Sequence, residues 1–424
     1  MSLPSGRVHR MNELDRKIER EIGAFARFSS TSEGVTRLPF SRENDLAIEY
    51  LKDRLYSIGK RVYVDAYGNV ASASSDLISA KDKTYLISHY DSVPKGGRFD
   101  GIAGIVLGLL LIEALEEPAK GRTELLAFNI EESSMFGRAS IGSKTFFEDE
   151  NSVPDYLPLL RGGKSLRSSL LAKQYQKYTE IAKPVIGKNS RFLEVHVDQS
   201  RELWDNRSEI GIVGVIAGQK RLSLQFTGRT GHSSLMDLSS RKDALFCASY
   251  VIAKVGELSR VYNPSGVIGT VTQIKNEPNV TNMIPGNVEL FLDVRGIEKG
   301  SLERFREEVV DFSANHARKS GLAFSWNTVS EYDPALLDQA YADVLEKRML
   351  QAKITPKRMH SMAWHDSAEV NKYYKTNLLL VSNKTGESHS PLEQMNIDSF
   401  RELLIFLISF IGGSHDSTES CSDG

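Results

Sequence analysis

Residues 89–101 read His89-Tyr90-Asp91-Ser92-Val93-Pro94-Lys95-Gly96-Gly97-Arg98-Phe99-Asp100-Gly101. An imidazole stands at one end, a carboxylate two residues later, and a second carboxylate eleven residues after the imidazole. The preceding residues, 84–89, are apolar and strand-like. Those that follow, 101–117, have the length and apolar character of a buried helix. His89 therefore closes a strand and Asp100 opens a helix. Ligand sites of open α/β sheets form at the carboxyl ends of strands. A His/Asp pair there, joined by a glycine-rich loop, has the make-up of half a metal site.

The other half is sought downstream. The next apolar strand, 123–130, runs into Glu131-Glu132. Adjacent carboxylates at a strand end repel unless a cation lies between them. A metal supplies that charge and lets one acid ligate while the other acts as general base. His196 lies in the strand-like segment 192–199, and His389 in Glu387-Ser388-His389-Ser390-Pro391-Leu392-Glu393. His89, Asp100, Glu132, His196 and His389 are thus the candidate ligands. Mixed imidazole and carboxylate donors suit Zn²⁺, Mn²⁺, Co²⁺ or Ni²⁺.

The 424-residue chain has net charge −2, with 40% hydrophobic and 25% charged residues. That is a globular profile of two-domain length. It offers no basic excess for nucleic acid. No apolar run reaches membrane-spanning length, and the first residues lack the apolar core of a signal peptide. Only two cysteines occur, Cys247 and Cys421, so no disulfide framework is expected. A reducing cytoplasm is the expected compartment.

Both chain ends are polar and expected to be disordered. Helices are expected at 12–28 and 41–58, then a hairpin around Tyr67-Gly68-Asn69. Residues 153–190 are the least regular, with a basic helical stretch at 165–178. A β-α-β-β-α-β series follows: strands at 221–227, 267–275, 288–295 and 322–329, helices at 240–260 and 301–320. That order is ferredoxin-like. The chain then returns to α/β, with a helix at 335–352, a strand at 377–382 and a helix at 399–411. The fold class is α/β with a mixed, largely parallel sheet. Residues 1–212 and 329–424 form a discontinuous catalytic domain, and 213–328 an inserted domain.

Six ordered blocks resemble the M20 family of di-metal amidohydrolases and peptidases: 89–101, 131–137, 194–199, 231–245, 278–295 and 387–393. Within it the chain is most similar to the branch of N-carbamoyl-L-amino-acid hydrolases, β-ureidopropionases and allantoate amidohydrolases. The short spacing from His89 to Asp100 and a histidine at 196 carry that preference. The resemblance implies a ferredoxin-like lid and dimerisation domain, and two divalent metals per subunit. Asp100 would bridge them, with His89 and His196 on one and Glu132 and His389 on the other. Glu131 would be the general base for a water held between the metals. Asp91 would accept from the outer nitrogen of His89 and fix its tautomer.

It implies a homodimer in which His232 reaches the partner's active site. Gln199 would contact substrate, and Asn282 and Arg295 would clamp its carboxylate. The activity implied is hydrolysis of the C–N bond of an N-carbamoyl or related N-acyl amino acid. A peptidase or N-acyl-amino-acid deacylase is the alternative, and ammonia release separates the two. A catalytically inactive binding homologue is a third reading, opposed by the presence of Glu131. Two stretches depart from the branch. Val197-Asp198-Gln199-Ser200-Arg201 replaces Ile-Glu-Gln-Gly-Pro, and Met362-Ala363-Trp364-His365-Asp366-Ser367 replaces a glycine-rich segment. Met362 and Trp364 are expected to add bulk near the pocket. His9, His316, His360 and His415 are expected to be structural or on the surface.

Overall fold

The structure, a computed structural model, describes residues 13–74, 82–148 and 165–413. The two polar ends and most of the irregular first half of 153–190 lie outside the described residues. The chain divides into two compact units. One comprises the residues up to Gly214, Leu337–Met359 and those from His365 onward. The other comprises Val215–Leu336 and His360–Trp364.

In chain order, the strands of the first unit are β1 (Lys60–Val64), β2 (Val70–Ser74), β3 (Thr84–His89), β4 (Thr123–Phe128) and β5 (Arg191–Val197), and β6 (Ile210–Ile216) runs from the first unit into the second. The second unit carries β7 (Gly218–Thr227), β8 (Gly231–His232), β9 (Val267–Glu277), β10 (Met283–Ile284), β11 (Asn287–Gly296), β12 (Ala323–Tyr332) and β13 (Ala335–Leu336). The chain then forms β14 (Pro356–Ser361) and β15 (Lys375–Val381).

The main sheet runs β1-β2-β4-β3-β5-β15-β6, with β14 also along β6. Its centre, β4-β3-β5-β15, is parallel, and the flanking pairs are antiparallel. Parallel strands covered on both faces read as continuous apolar runs. Accordingly β4 is buried throughout and β5 from Phe192 to Val197. Helix Ile102–Ala114 covers one face. Every residue from Ile102 to Ile112 is buried, and the sequence IAGIVLGLLLIEA has no polar stripe. Burying each Leu or Ile of such a helix contributes about 1.5–3 kcal/mol. At Gly104 the helix backbone presses on the strands: a Cβ there would meet Val195 O at 2.1 Å and the Ser88 Cβ at 2.6 Å.

The second unit is a four-stranded antiparallel sheet, β12-β7-β11-β9. Helices Ala244–Tyr262 and Lys299–Lys319 share a core with one face of it. Alternation sets that face: Leu222, Leu224 and Phe226 of β7, and Val288, Leu290, Leu292 and Val294 of β11, belong to that core. The intervening residues, among them Gln219, Arg221, Asp293 and Arg295, point to the other face. Asp243 and Glu298 cap the two helices by accepting from Phe246 N and from Ser301 N.

Five strands, β6, β8, β10, β13 and β14, escape the sequence reading, and the helix expected at 335–352 starts late. The stretch IGIVGVI of β6 carries two glycines and no polar alternation. A Cβ at Gly211 would meet Met359 Sδ at 2.4 Å, so the glycine lets β14 come close. The helix expected at 335–352 spans Gln339–Gln351, because Ala335–Leu336 pairs with β6 and Asp338 caps the helix by accepting from Tyr341 N.

Candidate metal centre

The parallel register aligns the strand ends. His89 pairs with Phe128, and Ile87 with Glu194. His89 ends β3, and His196 lies near the end of β5. Two residues past β4 the chain turns at Ile130, whose φ is +60°. A β-branched residue in that region costs on the order of 1–3 kcal/mol and persists only where the surroundings enforce it. Here Ile141 N donates to Ile130 O at 2.9 Å. The Asp91 carboxylate accepts from both Glu131 N and Glu132 N at 3.1 Å. The loop returns at Gly101, φ +66°, where a Cβ would lie 2.6 Å from the His89 ring. Only glycine lets Asp100 pass so close to the imidazole.

Two donor groups result: His89, Asp100 and His196, and Asp100, Glu132 and His389, each with its atoms within 4.8 Å of one another. Asp100 belongs to both. Its Oδ1 lies 3.0 Å from His196 Nε2 and 3.4 Å from His89 Nε2. Its Oδ2 lies 3.4 Å from His389 Nε2, which is also 3.4 Å from Glu132 Oε1. Five of these six contributions come from buried residues, whereas His389 sits exposed at the rim.

The outer nitrogens reveal the tautomers. His89 Nδ1 is 3.2 Å from Asp91 O, and His196 Nδ1 is 2.9 Å from Val197 O. With protons on both Nδ1 atoms, both Nε2 atoms present lone pairs toward Asp100. Neither Asp100 oxygen has a hydrogen-bond donor among the described residues, although both are buried. Asp91 offers His89 Nδ1 both a backbone and a side-chain oxygen. The His89 proton is nearer its backbone oxygen than its carboxylate, at 3.5 Å, because that carboxylate is engaged by the Glu131-Glu132 backbone.

Electrostatics follow from burial. Burial lifts the Glu131 and Glu132 carboxyls well above the usual range. The charge of Asp100 lifts Glu132 further. Burial also opposes charge on Asp100, but His196 and His89 outweigh it and hold that carboxyl well below its ordinary value. For His89, burial lowers the pKa, while the adjacent carboxylates of Asp100 and Asp91 win and raise it. Lone-pair imidazoles around an orphaned carboxylate, in a pocket short of positive charge, fit a divalent cation.

Several functional neighbours are not evident from the sequence reading. Glu393 Oε2 accepts from Phe99 N at 2.9 Å and Asp100 N at 3.1 Å, fixing the shared carboxylate. Burial and the charge of Asp100 push Glu393 up to about 8. Ser140 Oγ lies 3.4 Å from Glu131 Oε1, and its N–H donates to Glu131 O at 2.8 Å. Ser143, one turn on, donates to Asp366 Oδ1 at 2.5 Å. His365 is buried, with its ring 4.8 Å from that of His196. Glu393 closes a stretch singled out by sequence, and Glu194 shares its strand with His196, but nothing in a sequence marks an acid as buried. Gln199 is half-buried just beyond β5.

The remaining candidates lie in the second unit. His232 is exposed on β8, opposite Met283 of β10. Ser233 N donates to Asn282 O at 3.0 Å, so His232 and Asn282 are neighbours. Arg295 is elsewhere. It stands at the far end of β11 from Asn287, eight residues along an extended strand, or about 26 Å at ~3.3 Å per residue. Within one copy of this unit, Asn282 and Arg295 therefore do not converge on a single carboxylate. Arg295 Nη1 donates to Met362 O at 2.8 Å. Trp364 packs against Tyr332 at a 34° tilt, with centroids 4.7 Å apart.

A buried imidazole–carboxylate set at the carboxyl edge of a parallel sheet, with a further glutamate alongside, defines a candidate metal-dependent hydrolase. The chain belongs to peptidase family M20/M25/M40, whose family model matches residues 85–412. Members of the family are metal-dependent, and the two donor groups could hold metal. Among its relatives is the N-carbamoyl-L-amino-acid amidohydrolase of Pseudomonas sp. (strain NS671), 27% identical over 378 residues, covering 86% of this chain and 89% of that protein. The allantoate amidohydrolase of Bacillus subtilis (strain 168) is 28% identical over 373 residues, with the same two shares of 86% and 89%. A crystal structure of an amidase of the hydantoinase/carbamoylase family from Burkholderia multivorans superposes with TM-score 0.81 at 25% identity, covering 94% of this chain and 98% of that one. No described helix is long and apolar enough to cross a membrane.

Proposed function

We propose that the protein hydrolyses the C–N bond of an N-carbamoyl, or related N-acyl, amino acid at a centre of two divalent metal ions. The observation that carries this is Asp100, shared by two donor groups, with Glu131 belonging to neither. His89, Asp100 and His196 would hold one ion, and Asp100, Glu132 and His389 the other. Bound there, the ions would polarise the scissile carbonyl and acidify a water molecule. Glu131 Oε2, 4.0 Å from His89 Nε2, takes the proton of the attacking water and returns it to the leaving nitrogen. Ser140 and the Asp91-bound backbone hold that carboxylate in place.

The second unit is proposed as a ferredoxin-like lid and dimerisation domain spanning about 213–328; its strand order and two one-sided helices support this. Arg295 binds the substrate carboxylate as a planar fork. His232 and Asn282 serve the neighbouring subunit's site in a homodimer. The length of β11 between Asn282 and Arg295 supports that division. Mixing His232→Ala with Glu131→Gln subunits would then restore activity, since one hybrid site keeps both residues.

The test is a panel of N-carbamoyl, N-acetyl and dipeptide substrates with the Mn²⁺-, Zn²⁺- or Co²⁺-loaded protein. Ammonia release from N-carbamoyl amino acids is expected. Dipeptide or N-acetyl cleavage without any ammonia from ureido compounds would replace this reading with a peptidase or deacylase.

A further inference from the structure

The second donor group differs from the first in how its last ligand is carried. His89, Asp100, Glu132 and His196 are buried, whereas His389 is exposed on a loop, at φ +53°. Its Nε2 nevertheless faces Asp100 and Glu132, each at 3.4 Å. The loop leaves β15 at Ser382 and returns at Asn396. Asn396 N donates to Ser382 O at 2.7 Å, and Lys384 N to Gln394 O at 2.8 Å. Near its far end, Glu393 accepts from Phe99 N and Asp100 N.

Asn383 fixes the near end. Its side chain is fully buried. Nδ2 donates to Asp198 O and to Glu387 O, both at 2.9 Å. Oδ1 accepts from Thr385 N at 3.1 Å and from Gly386 N at 3.2 Å. Two carbonyls on one side and two N–H groups on the other set the orientation of the carboxamide. A carboxylate or a hydroxyl at this position lacks the pair of donors. Asp198 lies two residues after His196, and Glu387 two residues before His389. One side chain thus ties together the backbones beside a ligand of each group. Gly386, at φ +69°, lets the loop lie on the chain just past β5, since a Cβ there would stand 2.3 Å from Arg201 Cγ.

We propose that Asn383 is the positioning residue of the second ion site: by folding residues 383–387 onto the end of β5 it aims His389 at Asp100 and Glu132. The proposal rests on the two-ion reading given above. Asn383 is no ligand itself, and its effect reaches the centre through His389. The second ion therefore depends on this amide. The first does not, because His89 and His196 are carried by β3 and β5 and Asp100 by the turn at Gly101.

Zn²⁺ titration by calorimetry, with elemental analysis of the dialysed protein, tests this without turnover. The wild type should take up two ions. Asn383→Ala is expected to weaken the second by about tenfold to a hundredfold, as loss of a ligand-orienting partner does, and to change the first by less than about threefold. In His389→Ala, which keeps one ion, adding Asn383→Ala should change the affinity of that ion by less than about threefold, because the residue it positions is already gone. A merely structural role would weaken both ions together and would persist in the His389→Ala background. Thr385→Val removes the hydroxyl that accepts from Glu387 N at 3.3 Å. It should show the same one-sided loss at about threefold to tenfold, and it decides the question if Asn383→Ala fails to fold. Equal losses at both ions, no loss at either, or an additive loss in the double variant overturns the proposal. A wild type that saturates below two ions overturns the two-ion reading itself, and the role of Asn383 with it.

Discussion

Gly97→Ala is expected to damage the centre through a residue that ligates nothing. A Cβ at position 97 would lie 2.0 Å from Glu393 Oε2, 2.3 Å from its Cδ and 2.8 Å from its Cβ. No rotation of the carboxyl alone relieves three such contacts, so the Glu393 side chain must leave. Its Oε2 is the acceptor for Phe99 N and Asp100 N. With Glu393 pushed up to about 8 by burial and by Asp100, these are bonds to a neutral carboxyl near pH 7. Each buried N–H left without a partner costs about 1–3 kcal/mol, so the pair costs about 2–6 kcal/mol. That is a large share of the roughly 5–15 kcal/mol that stabilises a typical domain. Urea unfolding of the metal-free variant measures it, and calorimetric metal titration should show weaker binding because Asp100 loses its anchor. Glu393→Gly supplies the control, since it removes the same acceptor together with the Cβ that would still stand 2.8 Å from the methyl group that Gly97→Ala adds. The double variant should therefore be no less stable than Glu393→Gly alone. A Gly97→Ala loss below about 0.5 kcal/mol, or additive losses in the double variant, would refute the reasoning.

Glu131→Gln is expected to retain metal and lose about 10²–10⁴-fold in kcat; near-normal turnover would remove Glu131 from the role of base. His389→Ala should lower the metal content measured by elemental analysis from about two ions to one per chain, because the group of His89, Asp100 and His196 stays complete; an unchanged content would exclude His389 as a ligand. Asp65 gives the pH prediction. Burial lifts it to about 6 despite bonds from Tyr67 N and Asn69 N. An acid whose folded pKa exceeds its unfolded value of about 3.9 holds its proton more tightly when folded. Its stabilising contribution is therefore full below about pH 4 and lost as pH rises through about 6. Asp65→Asn should remove roughly 2–3 kcal/mol of that slope between pH 4 and 6, measured by urea unfolding across the range; parallel curves for the two proteins would contradict it.

The sequence makes some parts of this architecture legible and hides others for identifiable reasons. The strand before His89 and the helix after Asp100 are readable because both are apolar over their whole length and a glycine-rich loop joins them. The β-α-β-β-α-β series is readable from strand alternation and helical spacing. β6 is hidden because its glycines answer to a neighbouring strand, a tertiary fact. The five donors stand out as residue types, but Glu393, Ser140 and Asp366 do not. Their importance lies in burial and in what donates to them. Asn282 and Arg295 are paired by the family resemblance alone; the extended length of β11 carries the arginine about 26 Å from Asn287.

The contact at Gly104 has a consequence for how such a centre can change over time. The helix touches the residues just before His89 and His196 at once, Ser88 and Val195. A single added methyl group would wedge β3 and β5 apart and alter the gap that the two imidazoles span. The rear of the centre thus behaves as a fixed caliper that tolerates almost no variation in volume. Adaptation to a different ion must come from the solvent side, through the exposed loop of His389. Random libraries confined to that loop should yield altered metal preference, while libraries in helix Ile102–Ala114 should yield mainly unfolded protein.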